Sequence, residues 1–261
     1  MTDFLTKIIE TKKEEVLAAR KRVPEQRLRQ EAENTGIKRP FEAVLEKPGP
    51  YGANIIAEIK RASPSKGMIK EDLDAEVFAR HYEAGGAAAI SVLTDTPYFK
   101  GSLEDLVAAK RSSSLPVLRK EFIISTYQIY EAAAAGADAV LLIVRILSPK
   151  QLKEYMQLCR ELGLGALVEI HDPKEVETAV DCQAKIIGIN NRDLSSFHTD
   201  LNVAARTVAL LGPGQVPVAA SGIHSREDIQ SLKKAGIFNF LIGESIVRSE
   251  NPGAFLKSLL A

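Results

Sequence analysis

Eight short runs rich in Val, Ile, Leu and Ala recur along the chain, and each is followed by a stretch with polar, helical patterning. The runs are Asn54–Lys60, Ala87–Leu93, Pro116–Lys120, Asp138–Val144, Ala166–Ile170, Lys185–Asn190, Val216–Ser221 and Ile237–Gly243. Near-continuous apolar runs of this length suit strands buried on both faces, which means parallel strands covered by helices. The stretches between them carry helix punctuation. Leu73–Ala84 and Ser102–Arg111 follow the first two runs, and Ser125–Ala135 opens on a serine cap and stops at Gly136. Ser148-Pro149 opens a helix that stops near Gly163, and Asp172-Pro173 repeats that opening. Ser225–Ala235 opens on a Ser-Arg-Glu-Asp capping box and stops at Gly236.

Strand and helix alternate in this way over about 200 residues without a break in composition, which predicts an α/β protein built as one (β/α)8 barrel domain over residues 1–261. The rival architecture, a doubly wound sheet, calls for a glycine-rich first turn. The first turn here is Arg61-Ala-Ser-Pro-Ser-Lys-Gly67, with no GxGxxG. Residues 1–53 form an N-terminal helical extension. Phe4, Leu5, Ile8, Ile9, Val16 and Leu17 recur at helical spacing and predict one amphipathic helix, then a loop around Lys47-Pro-Gly-Pro50. That extension either plugs one barrel end or lids a substrate. Lys12-Lys13 and Lys233-Lys234 read as solvated helix faces.

Charge and composition narrow the function classes. Lys plus Arg equals Asp plus Glu, at 34 each. Such a balance makes no electrostatic case for nucleic acid or an anionic membrane, so an anionic ligand must be held by a local site. No apolar run approaches the roughly 18 residues of a spanning helix, and the N-terminus lacks the apolar core of a signal peptide. A cytoplasmic protein with reduced thiols at Cys159 and Cys182 is expected. His81, His171, His198 and His224 lack metal-ligand spacing and read as surface or loop residues. No Gly-x-Ser-x-Gly elbow is present and neither cysteine ends a strand, so nucleophilic acyl chemistry has no candidate.

The polar residues that interrupt the runs sit at their C-terminal ends: Glu58 and Lys60, Lys120, Glu169, Asn190 and Ser221. In a parallel barrel those ends share one rim. Buried lysine and glutamate are costly unless paired, so the four ionisable groups form either a structural ion-pair network or an active site; the rim favours the site. The last two runs end in Ser221-Gly222-Ile223 and Gly243-Glu244-Ser245. These glycines either only make turns or let backbone N–H groups approach a phosphate, and their place at adjacent strand ends favours phosphate.

These segments closely resemble the indole-3-glycerol phosphate synthase family. The residues that carry the resemblance are Ile56-Ala-Glu-Ile-Lys-Arg-Ala-Ser-Pro-Ser-Lys-Gly67, Ser91-Val-Leu-Thr-Asp95, Tyr98-Phe-Lys-Gly-Ser102, Leu118-Arg-Lys-Glu-Phe122, Leu167-Val-Glu-Ile-His171, Gly188-Ile-Asn-Asn-Arg-Asp-Leu194, Ala220-Ser-Gly-Ile223 and Leu241-Ile-Gly-Glu-Ser245. The resemblance implies closure of 1-(2-carboxyphenylamino)-1-deoxyribulose 5-phosphate to indole-3-glycerol phosphate, with loss of carbon dioxide and water and without a cofactor or metal. It implies Lys120 as general acid of ring closure and Glu169 as base of the dehydration. Lys60 is then a second acid or an anion clamp, and Glu58 and Asn190 orient the lysines and the sugar hydroxyls. Arg192 meets the anthranilate carboxylate. Phe99 and Phe122 either stack on the aromatic ring or only pack the loops. Ser63, Ser221, Gly222, Gly243, Glu244 and Ser245 hold the phosphate, with Leu241 beside them in the substrate wall. The partner is thus a small phosphorylated molecule, with no nucleic acid or membrane. A monomer that touches other tryptophan-pathway enzymes transiently is expected.

One position departs from the family, which commonly carries glutamate immediately before the Ser221-Gly222 pair where this chain has Ala220. Activity is expected to survive, because Glu58, Lys60, Lys120 and Glu169 remain. Two other readings stay open: another sugar-phosphate barrel (phosphoribosylanthranilate isomerase or a Schiff-base aldolase) and a non-enzymatic phosphate-binding barrel. The first would need a strand-end cysteine or an amine nucleophile. Ala220 alone supports the last.

Overall fold

A computed structural model describes residues 4–193 and 197–261. The first three residues of the extension, and Leu194 at the end of the Gly188–Leu194 segment, lie outside the described residues. The eight apolar runs become eight parallel strands: β1 (Asn54–Ile59), β2 (Ala89–Leu93), β3 (Val117–Lys120), β4 (Ala139–Ile143), β5 (Gly165–Ile170), β6 (Ile186–Asn190), β7 (Val216–Ala220) and β8 (Asn239–Ile242). Each pairs with the next, and β8 pairs with β1, so the sheet closes into a barrel without edges. Residues of one parity on each strand point inward. Ile56, Leu118, Leu167, Ile186 and Val218 fill the lower interior. The opposite parity packs under the helices in a larger outer core that includes Ile55, Val92 and Val140.

Most helices begin and end where their punctuation lies. Ser102, Ser125, Ser148 and Ser225 each accept a backbone N–H from the following first turn, and Ser148 and Ser225 close full capping boxes with Gln151 and Asp228. Gly136 and Gly236 take φ of 86° and 91°, the left-handed exit at which a Cβ would strain the chain. Asp172-Pro173 departs from its reading. Asp172 Oδ1 accepts the Lys174 N–H at 2.9 Å in a local turn, and the helix starts later, at Glu175–Asp181, without a side-chain cap. Glu175 is drawn back there to accept the His171 N–H at 2.7 Å.

The extension holds two helices rather than one: α1 (Phe4–Arg22) and α2 (Glu25–Glu33), with Pro24 between them. It reaches both ends of the barrel. Phe41 and Leu45 enter the base of the barrel, each 1% exposed, and a Cβ on Gly165, which starts β5, would come within 3.2 Å of the Phe41 ring. Asp138 pins this end by accepting the Arg39 N–H at 2.7 Å and the Lys110 ammonium at 2.6 Å. At the opposite end, Phe4, Leu5 and Ile8 of α1 roof the mouth. The turn after β1 folds into a two-stranded ribbon, Ala62–Ser63 against Gly67–Met68. Arg61 ties its foot to the barrel by an ion pair with Asp105 and a 2.7 Å bond to the Leu73 carbonyl. Among the described residues no helix is long and apolar enough to cross a membrane.

Candidate active site

All eight strands end at the roofed mouth, and charge gathers there in alternation. Glu58 and Lys60 lie two residues apart and leave the same face of the chain, and Lys60 Nζ stands 2.9 Å from Glu58 Oε1. Lys120, at the end of β3, reaches Glu58 Oε2 at 3.4 Å and Glu169 Oε2 of β5 at 3.9 Å. Asn190, at the end of β6, donates its amide to Glu169 Oε1 at 3.3 Å. The two carboxylates are nearly buried, with side chains 4% and 6% exposed. Desolvated charges of this kind persist because each faces an opposite one.

Their pairing sets their protonation. Burial pushes the Glu58 carboxyl up, but the Lys60 and Lys120 ammonium groups outweigh it and hold it at about 2. Burial pushes Lys120 down, and Glu58 and Glu169 more than reverse that, so Lys120 stays charged well above neutral pH. A carboxyl whose folded pKa is depressed stabilises the fold above its unfolded value, near 4.3, and loses that contribution as pH falls to the folded value. Between about pH 4.5 and 2 the native chain should therefore lose on the order of 3 kcal/mol through Glu58. Urea unfolding across that range should show a shallower pH dependence in Glu58→Gln than in the native chain. Identical slopes would disprove the assignment.

Around this row of charges the mouth encloses a cavity of about 1160 Å³, counted out to open solvent. Each residue singled out in the sequence lines it: Glu58, Lys60, Ser63, Phe99, Lys120, Phe122, Glu169, Asn190, Arg192, Ser221, Gly222, Leu241, Gly243, Glu244 and Ser245. Phe99 and Phe122 face each other across 6.1 Å between ring centroids. Arg192 donates to Ser65 Oγ of the ribbon at 2.6 Å, bridging the mouth, and its own N–H is held by Asn190 Oδ1 at 3.1 Å. Ser63 Oγ is buried with no hydrogen-bond partner. A buried hydroxyl of this kind needs a hydrogen-bond partner, from water or from a bound molecule.

Three details at the β7 and β8 ends refine the reading of the sequence. Gly243 is glycine because Glu58 lies on it: a Cβ there would meet Glu58 Oε1 at 2.6 Å. The Glu244 carboxylate is drawn to Arg248 at 3.2 Å. Ser221 takes a left-handed φ of 68°, a conformation that costs a non-glycine residue roughly 1–2 kcal/mol. Buried Asn191 holds that turn, donating its side chain to the Ser221 carbonyl at 3.1 Å.

Cavity residues beyond the candidate site include those of the extension helix and Phe197, which the sequence did not single out. Phe4, Leu5, Ile8 and Phe197 line the mouth, with the Phe4 and Phe197 rings 5.6 Å apart. His171 leaves β5 in a loop, as expected, but it is no surface residue. Its side chain is 2% exposed, with Nε2 3.3 Å from Glu169 Oε1. Burial, against the pull of Glu169, holds its imidazole below the usual histidine range. The period-two rule that linked Glu58 to Lys60 links Glu169 to His171 as well. Lys12 corrects a second reading. It is 2% exposed rather than solvated, and ion-paired to Glu15, Asp95 and Glu121, whereas Lys13 beside it is exposed.

Comparison with known proteins agrees with this geometry. The chain is 62% identical over 261 residues to an indole-3-glycerol phosphate synthase of Desulfosudis oleivorans, covering 100% of this chain and 99% of that one. It is 50% identical over 259 residues to the synthase of Syntrophobacter fumaroxidans, covering 99% and 98%. Among solved structures it resembles an N-acetylmannosamine-6-phosphate 2-epimerase from Clostridium perfringens, with TM-score 0.63 and 14% identity, covering 82% of this chain and 94% of that one. It also resembles a mutant tryptophan synthase alpha-subunit from Pyrococcus furiosus, with TM-score 0.58 and 15% identity, covering 82% and 97%. At such low identity these two show the barrel alone. A family profile described as indole-3-glycerol phosphate synthase matches residues 5–259, and with it the chain belongs to the indole-3-glycerol phosphate synthase family.

Proposed function

We propose that the row Lys60–Glu58–Lys120–Glu169 carries out the family's reaction, the carboxy-lyase closure that forms indole-3-glycerol phosphate in tryptophan biosynthesis. The observation that carries this assignment is two ammonium groups and two carboxylates, alternating and desolvated at the closed end of one cavity. The substrate is 1-(2-carboxyphenylamino)-1-deoxyribulose 5-phosphate. In the first step the ring carbon bearing the carboxylate attacks the ketone carbon, and Lys120 passes a proton to the ketone oxygen. Loss of carbon dioxide returns the bonding electrons to the ring. Glu169 then takes the proton from the carbon beside nitrogen, and the hydroxyl leaves as water with a proton from Lys60. The charged state of Lys120 supports the acid role. Asn190 holds Glu169 in place. Glu58 sits between the two lysines and keeps both forward.

Substrate binding divides over the walls. Arg192 takes the anthranilate carboxylate, for which a guanidinium fork is suited. Phe99 and Phe122 hold the aromatic ring, and Leu241 closes the floor. Ser63, Ser221, Gly222, Gly243, Glu244 and Ser245 take the phosphate, with the unpartnered Ser63 hydroxyl as a donor. Ala220, buried at the end of β7, leaves Glu58 as the carboxylate that faces Lys60.

The test is turnover of this substrate, read as indole fluorescence, in the native chain and in Arg192→Ala. The native chain should make product. Arg192→Ala should raise KM roughly tenfold to a hundredfold, the loss of a charge-assisted pair, with a smaller change in kcat. An unchanged KM would remove Arg192 from the carboxylate.

A further inference from the structure

Lys12 is a charged residue on the buried stripe of α1. Leu5, Ile8, Lys12 and Val16 are the buried residues of that helix and lie along one side of it. The Lys12 ammonium ends between two carboxylates of the barrel rim, 2.7 Å from Asp95 Oδ2 and 3.1 Å from Glu121 Oε1. Asp95 is 0% and Glu121 5% exposed. Burial works against charge on this lysine, but the Glu121 and Asp95 carboxylates outweigh it and raise its pKa above the ordinary value. The lysine therefore carries its charge at neutral pH.

What those carboxylates do with their other contacts gives the lysine its meaning. Asp95 Oδ1 accepts the backbone N–H of Tyr98 at 2.7 Å and of Phe99 at 3.1 Å, capping the short helical turn that carries Phe99. Glu121 Oε1 accepts the Phe122 N–H at 2.8 Å, and Glu121 Oε2 takes the Thr94 hydroxyl at 2.9 Å. One cation thus pairs with both acceptors that fix the backbone of the cavity aromatics, Glu121 also facing Arg119 at 3.9 Å. Two further contacts join α1 to the same turn: the Phe4 and Tyr98 rings lie 5.5 Å apart, edge to face, and Thr11 Oγ1 is 3.0 Å from the Tyr98 hydroxyl.

We infer that Lys12 is a positioning residue for substrate binding: by pairing with Asp95 and Glu121 it seats α1 as the roof of the mouth and sets Phe99 and Phe122 for the substrate's ring. This rests on the reading that the cavity takes the substrate ring between those aromatics. Lys12 does not line the cavity itself; its partner Glu121 does. Its effect reaches the reaction through the fit of the ring, so it should appear in KM rather than in the chemical step.

The experiment compares Lys12→Met, which keeps the stem and removes the charge, with the native chain. KM for the substrate should rise by roughly tenfold or more, the scale of an ångström-sized misplacement, with kcat changed by less than about threefold. Inhibition by inorganic phosphate, which probes the far wall of the cavity, should be unchanged. A folded Lys12→Met with native KM overturns the inference. So does a parallel loss of phosphate inhibition, which marks general loosening. A second measurement needs no variant: on adding indole-3-glycerol phosphate to the native chain, amide exchange should slow together in residues 8–16 and at Tyr98 and Phe99, whereas inorganic phosphate should leave both segments unchanged. Exchange in 8–16 that ignores the product also overturns it. Should Lys120→Met keep native turnover, the reading of the cavity fails instead; a dead Lys120→Met beside an unaffected Lys12→Met refutes this inference alone.

Discussion

Lys120→Met should lower kcat by at least about a hundredfold, and by as much as ten-thousandfold if no neighbour substitutes, which is the range lost with a positioned general acid. The same substitution removes the charge between Glu58 and Glu169, 3.4 and 3.9 Å away. Glu58 keeps Lys60 at 2.9 Å, so the site does not fall apart, but Glu169 loses its cation. Breaking a buried pair in this way costs on the order of 3 kcal/mol of stability. Methionine fills the space of the lysine stem and limits the cavity term. Turnover at saturating substrate and the urea midpoint separate the two effects. A folded variant with native kcat would remove Lys120 from the chemistry. On the proposed role of Lys120 at ring closure, the variant should release carbon dioxide no faster than it makes indole.

Glu169→Gln should also lower the rate of indole formation by roughly a hundredfold to ten-thousandfold, but at a later step. Glutamine retains the shape of the side chain and can still accept from Asn190, so ring closure and decarboxylation remain available. On the proposed role of Glu169, the proton next to nitrogen then has no base. Carbon dioxide should appear ahead of indole fluorescence, and a species lighter than substrate by carbon dioxide should accumulate and be visible by mass. Simultaneous release of carbon dioxide and indole, at whatever rate, would show that Glu169 is not the base of the last step. The two variants thus bracket the reaction from opposite ends.

The sequence was most legible where burial makes one requirement at a time. Each strand is covered on both faces, so each must be largely apolar, and each lies within its apolar run except β5, which starts one residue earlier at Gly165. Polar residues at the ends of such strands carry a desolvation cost that needs a reason, which is why Glu58, Lys60, Lys120, Glu169 and Asn190 stood out. Their convergence followed from parallel strands sharing a rim, and no contact needed to be known. Serine caps were equally readable, because a capping side chain bonds within its own first turn. Asp172-Pro173 failed because the competing bond from His171 N to Glu175 is made by residues beyond the motif.

What stayed hidden depended on partners far away in the chain. Lys12 sits in phase with Leu5, Ile8 and Val16, a spacing that marks it for burial, but nothing local says that Asp95 and Glu121 wait there to receive the charge. A lysine beside another lysine is ordinarily solvated. His171 shares the face of Glu169, a signal available from strand periodicity, but its contact with Asn190 of the neighbouring strand, at 3.3 Å, is not. Gly243 read as a turn or as a residue for approach to phosphate, and nothing local showed that the Glu58 side chain, 185 residues earlier, also packs against it.

The amino-acid pattern by itself settled the barrel, its direction and the chemical types at its mouth, since periodicity and the cost of burying charge act within a few residues of one another. Only the folded chain decided which end the extension serves, how the charges alternate and what seats the roof. Those outcomes rest on contacts between segments distant in sequence, where a few ångströms separate a paired ion from an unpaired one, and local patterning carries no information at that range.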